Sequence, residues 1–149
     1  MISPDRLILL DTNVLIHLIR GDAIGAAIDE RYGLRNRPER PLISIVTVGE
    51  VMKFAEWRGW GEGKRRMIRE LLEELLIVDI SDATILDRYA KIGAYLDSTG
   101  QRIQHNDIWI AATAAAKRAV VLTMDSHFDR LHPEYVERVF FDAKGNTKS

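Results

Sequence analysis

The chain has 149 residues, 46% of them hydrophobic and 29% charged, the balance of an ordinary globular protein long enough to bury a core as a single domain, 1–149. It has no cysteine, which excludes disulfides and thiolate metal sites, and His17, His105, His127 and His132 lie too far apart for a zinc site. A net charge of −1 is not the overall basic excess of most nucleic-acid binders, so any such role rests on local patches.

Leu7-Ile8-Leu9-Leu10 is a continuous apolar run stopped by Asp11, the pattern of a strand buried on both faces of a parallel sheet. Val14, Leu15, Leu18 and Ile19 follow at helical spacing, and residues 22–33 suit a second short helix. Pro38 and Pro41 mark residues 36–41 as a loop. Leu42-Ile43-Ser44 reads as a second strand, and Val48, Val51, Met52 and Ala55 as the buried face of the next helix, broken by Gly59, Gly61 and Gly63. Ile68, Leu71, Leu72, Leu75 and Leu76 give the clearest amphipathic helix, with Ile77-Val78 as a third strand.

Ser81 or Asp82 caps a helix with the stripe Ile85, Leu86, Tyr89, Ile92 and Leu96. Asn106 is placed to cap an alanine-rich helix built on Ile108, Ile110, Ala111, Ala114 and Ala115. Val120-Val121-Leu122 is a fourth strand and Val139-Phe140-Phe141 a fifth, before a polar tail, residues 142–149, expected to fray. Strands alternating with helices predict an α/β domain with a central, mostly parallel sheet of four to five strands. Sites in such sheets lie at the carboxyl ends of the strands. No run approaches the roughly 18 apolar residues of a membrane helix. The apolar run before Asp11 is also too short for a signal peptide, so a cytoplasmic location is expected.

Four acids occupy positions where chemistry is possible. Asp11 directly follows the first strand and Asp125 the fourth, where capping is the alternative use of each. Glu50 sits among Val48, Val51 and Met52, where an ionised carboxylate is costly unless paired or metal-bound; an exposed helix position would explain it equally. Asp107 opens the alanine-rich helix, where the macrodipole already favours a negative charge. Gathered in one pocket, the four would repel one another and raise their own pKa values, and a divalent cation would relieve that. Mg²⁺ or Mn²⁺ suits oxygen ligands and promotes phosphodiester hydrolysis. His127, beside Asp125, is in a position to touch substrate, and His105 to line the pocket mouth.

The motif order carries a resemblance. Leu9-Leu10-Asp11-Thr12-Asn13-Val14-Leu15-Ile16, Ser44-Ile45-Val46-Thr47-Val48-Gly49-Glu50-Val51, Asn106-Asp107-Ile108-Trp109-Ile110-Ala111-Ala112 and Leu122-Thr123-Met124-Asp125-Ser126-His127-Phe128 together resemble the PIN-domain ribonucleases, above all the VapC toxins of prokaryotic toxin–antitoxin pairs. The resemblance implies a PIN-like α/β/α sandwich and an endoribonuclease dependent on Mg²⁺ or Mn²⁺. It implies Asp11 and Asp107 as the main metal ligands, with Glu50 and Asp125 completing the pocket directly or through water. Thr12 or Thr123 would orient a carboxylate or a water. It further implies an RNA substrate, a homodimer and a small antitoxin partner.

Two basic stretches are candidates for holding RNA: Arg31, Arg35, Arg37 and Arg40 in a loop, and Lys64, Arg65, Arg66 and Arg69 on the polar face of a helix, the latter favoured because a helix fixes side-chain directions. Three other readings stay open. A PIN nuclease of RNA processing would use the same residues. A receiver-like phosphoacceptor would need a lysine at a late strand end, where Thr123-Met124-Asp125 stands. A non-catalytic binding module has no physical reason to keep four mutually repelling acids.

Overall fold

The computed structural model describes residues 2–148. The three-residue run Ile8–Leu10 forms β1, and Asp11 ends it by capping α1 (Thr12–Arg20). Helix α2 (Ala23–Tyr32) packs so closely on α1 that a Cβ on Gly25 would lie 2.3 Å from the His17 carbonyl oxygen. Then come β2 (Leu42–Ser44), α3 (Ile45–Arg58), α4 (Glu62–Glu73), β3 (Leu76–Val78), α5 (Ala83–Ser98), α6 (His105–Lys117) and β4 (Val120–Thr123). A single 3₁₀ turn (Ser126–Arg130) leads to β5 (Glu137–Phe141) and β6 (Thr147–Lys148).

The strands form one sheet in the order β3-β2-β1-β4-β5-β6, parallel throughout except for β6. The chain builds outward from β1 to β2 and β3, then crosses to the other side of β1 for β4. The crevice between the carboxyl ends of β1 and β4 is therefore the topological switch point, the place where α/β sheets put their sites. Helices cover both faces, and alternate residues of β1 divide between them. Leu9 joins Ile85, Ile92, Leu96 and Ile110 beneath α5 and α6, while Ile8 and Leu10 join Val14, Leu15, Val51 and Ile68 beneath α1, α3 and α4. Burial on two faces is what the unbroken apolar runs of β1 and β4 require.

Several sequence expectations need correction. Gly63 lies inside α4 rather than breaking the chain there; Gly59 ends α3 with positive φ, which glycine adopts without strain. The amphipathic pattern over 68–76 runs past the helix: α4 stops at Glu73, Leu75 is buried beyond it, and Leu76 opens the edge strand β3 with its side chain half exposed. Periodicity cannot separate the two, because a short strand that follows a helix directly continues its apolar count. Met52 and Leu86, placed on buried stripes, are exposed. Gln104, not Asn106, is the N-cap of α6, with no side-chain cap hydrogen bond. The segment expected to fray is tied back by β6, so the sheet has six strands.

Candidate active site

Asp11 is buried with both oxygens engaged. Oδ1 accepts the Thr12 backbone N–H at 2.8 Å, and Oδ2 accepts the Thr123 hydroxyl at 2.7 Å. The capping role and the site role are thus played by one side chain, through different oxygens. Thr123 in turn accepts the Asp125 backbone N–H at 2.9 Å, so one hydroxyl at the end of β4 couples the carboxylate of β1 to the turn that presents Asp125. Asn13 adds a second tie, its Oδ1 accepting the Met124 N–H at 3.2 Å.

Glu50 reaches the same crevice from α3. Its Oε1 accepts the Thr12 hydroxyl at 2.7 Å, and the Thr47 hydroxyl lies 3.1 Å from that of Thr12. Thr12 has one hydroxyl proton, so donation to the carboxylate leaves it accepting from Thr47. Thr47 stands three residues before Glu50, on the same helical face, and is fully buried. Asp107, in the first turn of α6, completes the group from the other layer. Both Asn13 and Thr47 escaped assignment from sequence. Their signal was a polar residue one position from Thr12 and one helical turn from Glu50.

The electrostatics follow from this crowding. Burial, more than any other cause, pushes the Asp11 carboxyl up from its ordinary 3.8 to about 6; the charges of Asp125 and Glu50 add to it, and the Thr123 and Thr12 hydrogen bonds oppose it. Burial is also the main reason Asp107 rises to about 7, reinforced by the charges of Asp11, Asp125 and Glu50 and by hydrogen bonding with Asp125. Among the described residues no lysine or arginine lies within 4 Å of any of the four carboxylates; the nitrogen-bearing side chain near them is the imidazole of His127. One ligand atom each from Asp107, Asp125 and His127 lies within 4.8 Å of the others. His127 Nδ1 is buried without a hydrogen-bond partner. A cluster of hard oxygen donors, uncompensated by lysine or arginine and with the proton affinity of Asp11 and Asp107 raised, fits a divalent cation. Asp11 is the most buried of the set; Glu50, Asp107 and Asp125 are half-buried, with the Asp125 side chain more open than that of Asp107.

The basic clusters lie elsewhere. Arg37 donates to the carbonyls of Ser3 and Arg6, just before β1, at 2.6 and 2.8 Å, and Arg40 to that of Glu73, before β3. Arg35 pairs with Glu74 at 3.6 Å and Asp29 at 3.8 Å. These three arginines line a cavity of about 560 Å³ at the amino edge of the sheet, opposite the carboxylates. Arg31 is exposed beside Tyr32, Arg138 and Lys148 at a smaller cavity near β5 and β6. On α4, Arg65 meets Glu56 and the Trp60 carbonyl, Arg69 meets Glu62, Lys64 lies over the Trp60 ring, and Arg66 is exposed. His105 sits 3.1 Å from the Tyr89 hydroxyl, beside the Tyr89–Trp109 stack.

Comparison with known proteins adds a lineage to this geometry. The family model for the PIN domain matches residues 8–132. Ribonuclease VapC1 of Haemophilus influenzae is 33% identical over 115 residues, 77% of this chain and 84% of that relative. The structure of VapBC-1 from nontypeable Haemophilus influenzae superimposes with a TM-score of 0.73 at 28% identity, covering 89% of this chain and 96% of that one. VapBC2 from Rickettsia felis, bound to a DNA fragment from its promoter, shares the fold with a TM-score of 0.76 at 22% identity over the same fractions of the two chains.

Proposed function

This chain belongs to the PIN-domain family, and on that premise we propose that it is a metal-dependent endoribonuclease, the toxin of a toxin–antitoxin pair. The observation that carries the reading is the convergence of Asp11, Glu50, Asp107 and Asp125 on the switch point with no lysine or arginine beside them. Asp11 and Asp107 would hold Mg²⁺ or Mn²⁺, with Glu50 and Asp125 completing the donor set directly or through water. When bound, the cation supplies Lewis-acid activation of water and of the scissile phosphodiester. The chain's own part is to fix the donors. Thr123 holds one oxygen of Asp11 and the Thr12 N–H the other, so the carboxylate cannot rotate away. Thr12, steadied by Thr47, aims Glu50. With Asp11 raised to about 6 and Asp107 to about 7, these carboxyls would hold protons in competition with a bound cation as pH falls toward and below neutrality.

Phosphate contacts fall to Lys64, Arg65, Arg66 and Arg69 of α4 rather than to Arg35, Arg37 and Arg40, which stand at the edge of the sheet opposite the carboxylates. A small antitoxin is the expected protein partner, since relatives of this chain form VapBC complexes. A second copy is the other expected partner, and the exposed Met52 and Trp57 side chains of α3 are candidates for burial against it. No helix among the described residues is long and apolar enough to cross a membrane, and the cytoplasm is the proposed compartment.

The deciding experiment incubates the purified chain with a panel of cellular RNAs, with Mg²⁺, Mn²⁺ or chelator, and maps the ends produced. Cleavage that needs the cation and is lost in Asp11→Asn is expected. Full activity in chelator would overturn the mechanism.

A further inference from the structure

The 3₁₀ turn after β4 holds a side chain that the carboxylate mechanism leaves without a role. Asp125 Oδ1 accepts the backbone N–H of His127 at 2.8 Å, which folds residue 127 back over the carboxylate. The next residue, Phe128, is fully buried in the core beneath α5 and α6. His127 is therefore pinned on both sides, by a hydrogen bond and by a packed aromatic ring. Its imidazole Nδ1 lies 3.1 Å from Asp125 Oδ1 and 3.8 Å from Asp107 Oδ2. Despite the short approach to Asp125, the direction does not make a hydrogen bond, and the atom is buried with no partner. The side chain as a whole is 42% exposed, so the burial falls selectively on the edge that carries Nδ1.

We propose that His127 is a nitrogen ligand to the cation held by Asp107 and Asp125, and that it tilts the site toward Mn²⁺ over Mg²⁺. The inference rests on the acidic cluster being a cation site. Three features of the geometry support it. A buried polar atom without a partner costs free energy, and a cation lone-pair bond would remove that cost. The outward part of the ring can carry the proton on Nε2, leaving Nδ1 with its lone pair facing the two carboxylates. The separations of 3.1 and 3.8 Å also fall between the cis and trans ligand spacings, about 3 and about 4 Å, of an octahedral ion with bonds near 2.1 Å. Magnesium takes oxygen ligands and water, whereas imidazole suits first-row transition ions, so replacing one oxygen by nitrogen changes metal preference rather than merely affinity. The rival account, an imidazolium that only balances the charge of the two aspartates, places no nitrogen on the metal.

The test is pulsed electron paramagnetic resonance of the whole chain loaded with Mn²⁺, which detects nitrogen bonded to the ion independently of RNA cleavage. Nitrogen modulation is expected in the wild type, altered in pattern when histidine is supplied as the ¹⁵N form and lost in His127→Gln. His127→Gln should also weaken Mn²⁺ about tenfold or more while leaving Mg²⁺ within about twofold, so the Mn²⁺/Mg²⁺ preference falls. His127→Asn serves beside it, with circular dichroism to verify folding, and the isotope experiment needs no variant. Mn²⁺ bound without nitrogen modulation, or modulation that survives His127→Gln, would overturn the ligand assignment while leaving the cation site standing. Failure of the wild type to bind Mn²⁺ at all would overturn both.

Discussion

The two edges of the sheet handle charge in opposite ways. At the amino edge, Arg35, Arg37 and Arg40 are matched to carboxylates and to carbonyls that precede β1 and β3. At the carboxyl edge, Asp11, Glu50, Asp107 and Asp125 meet hydroxyls, backbone N–H groups and one another, but no lysine or arginine. Arginine can be satisfied by carbonyl oxygens that the folded chain offers anyway, because strand starts and helix ends leave acceptors free. Carboxylates in proximity have no such remedy; hydrogen bonds hold them in place but do not remove their repulsion. A charge cluster that the fold satisfies is structural, and one that it holds together unsatisfied awaits something from outside.

That contrast breaks if variants at the two edges behave alike. The largest effect is expected for Asp107→Asn, which keeps the shape and removes a charge: cation-dependent RNA cleavage should fall about 100-fold or more. Initial rates on a single end-labelled RNA at saturating Mg²⁺ would measure it, and activity within a few-fold of wild type would remove Asp107 from the site.

The same substitution should stabilise the metal-free protein. Asp107 and Asp11 have folded-state pKa values of about 7 and about 6, against 3.8 for an unperturbed aspartate, so between those values the folded state binds more protons than the unfolded one. Stability from this source is therefore fully present below about pH 4, declines as pH rises, and is gone above about pH 7. In chelator, thermal unfolding should show a lower midpoint at pH 8 than at pH 5.5. Asp107→Asn should flatten that slope and raise stability at pH 8 by ~2–4 kcal/mol, read from the shift of Asp107. A midpoint that rises between pH 5.5 and 8 in chelator would contradict the crowding of these carboxyls.

Thr123→Val tests the anchor of Asp11, and it also removes the acceptor of the Asp125 backbone N–H. It removes one hydrogen bond to a buried carboxylate and should cost about 1.5–3 kcal/mol where Asp11 is ionised. It should also raise the Asp11 pKa further, since that bond holds it down, and so weaken Mg²⁺ at pH 7 more than at pH 8.5. Equal loss at both pH values would mean that Thr123 only packs.

The smallest effect belongs to the amino edge. Arg35 is largely exposed in its ion pairs, and Arg35→Ala should change stability by less than about 1 kcal/mol and leave the salt dependence of RNA binding unchanged. Alanine at Lys64, Arg65, Arg66 and Arg69 should flatten that dependence, measured in an Asp11→Asn background that prevents cleavage. The reverse outcome would move the RNA to the amino edge.

By itself the sequence determined the α/β class and the strands β1, β2 and β4 to within a residue, and it singled out the four acids that the fold brings together. Each of these is a local matter: an unbroken apolar run needs burial on two faces, and a polar residue directly after it must emerge at a strand end. The tertiary structure decided which strand ends are neighbours. Asp11 and Thr123 are 112 residues apart and meet because β4 pairs with β1 on the side that β2 leaves open. The same strand order sends three loop arginines to the far edge, assigns Leu76 to an exposed edge strand, and turns one nitrogen of His127 inward against two carboxylates. Residue spacing encodes the face of its own helix or strand. Which partner lies across from that face depends on packing between elements distant in the chain, and no local pattern carries that information.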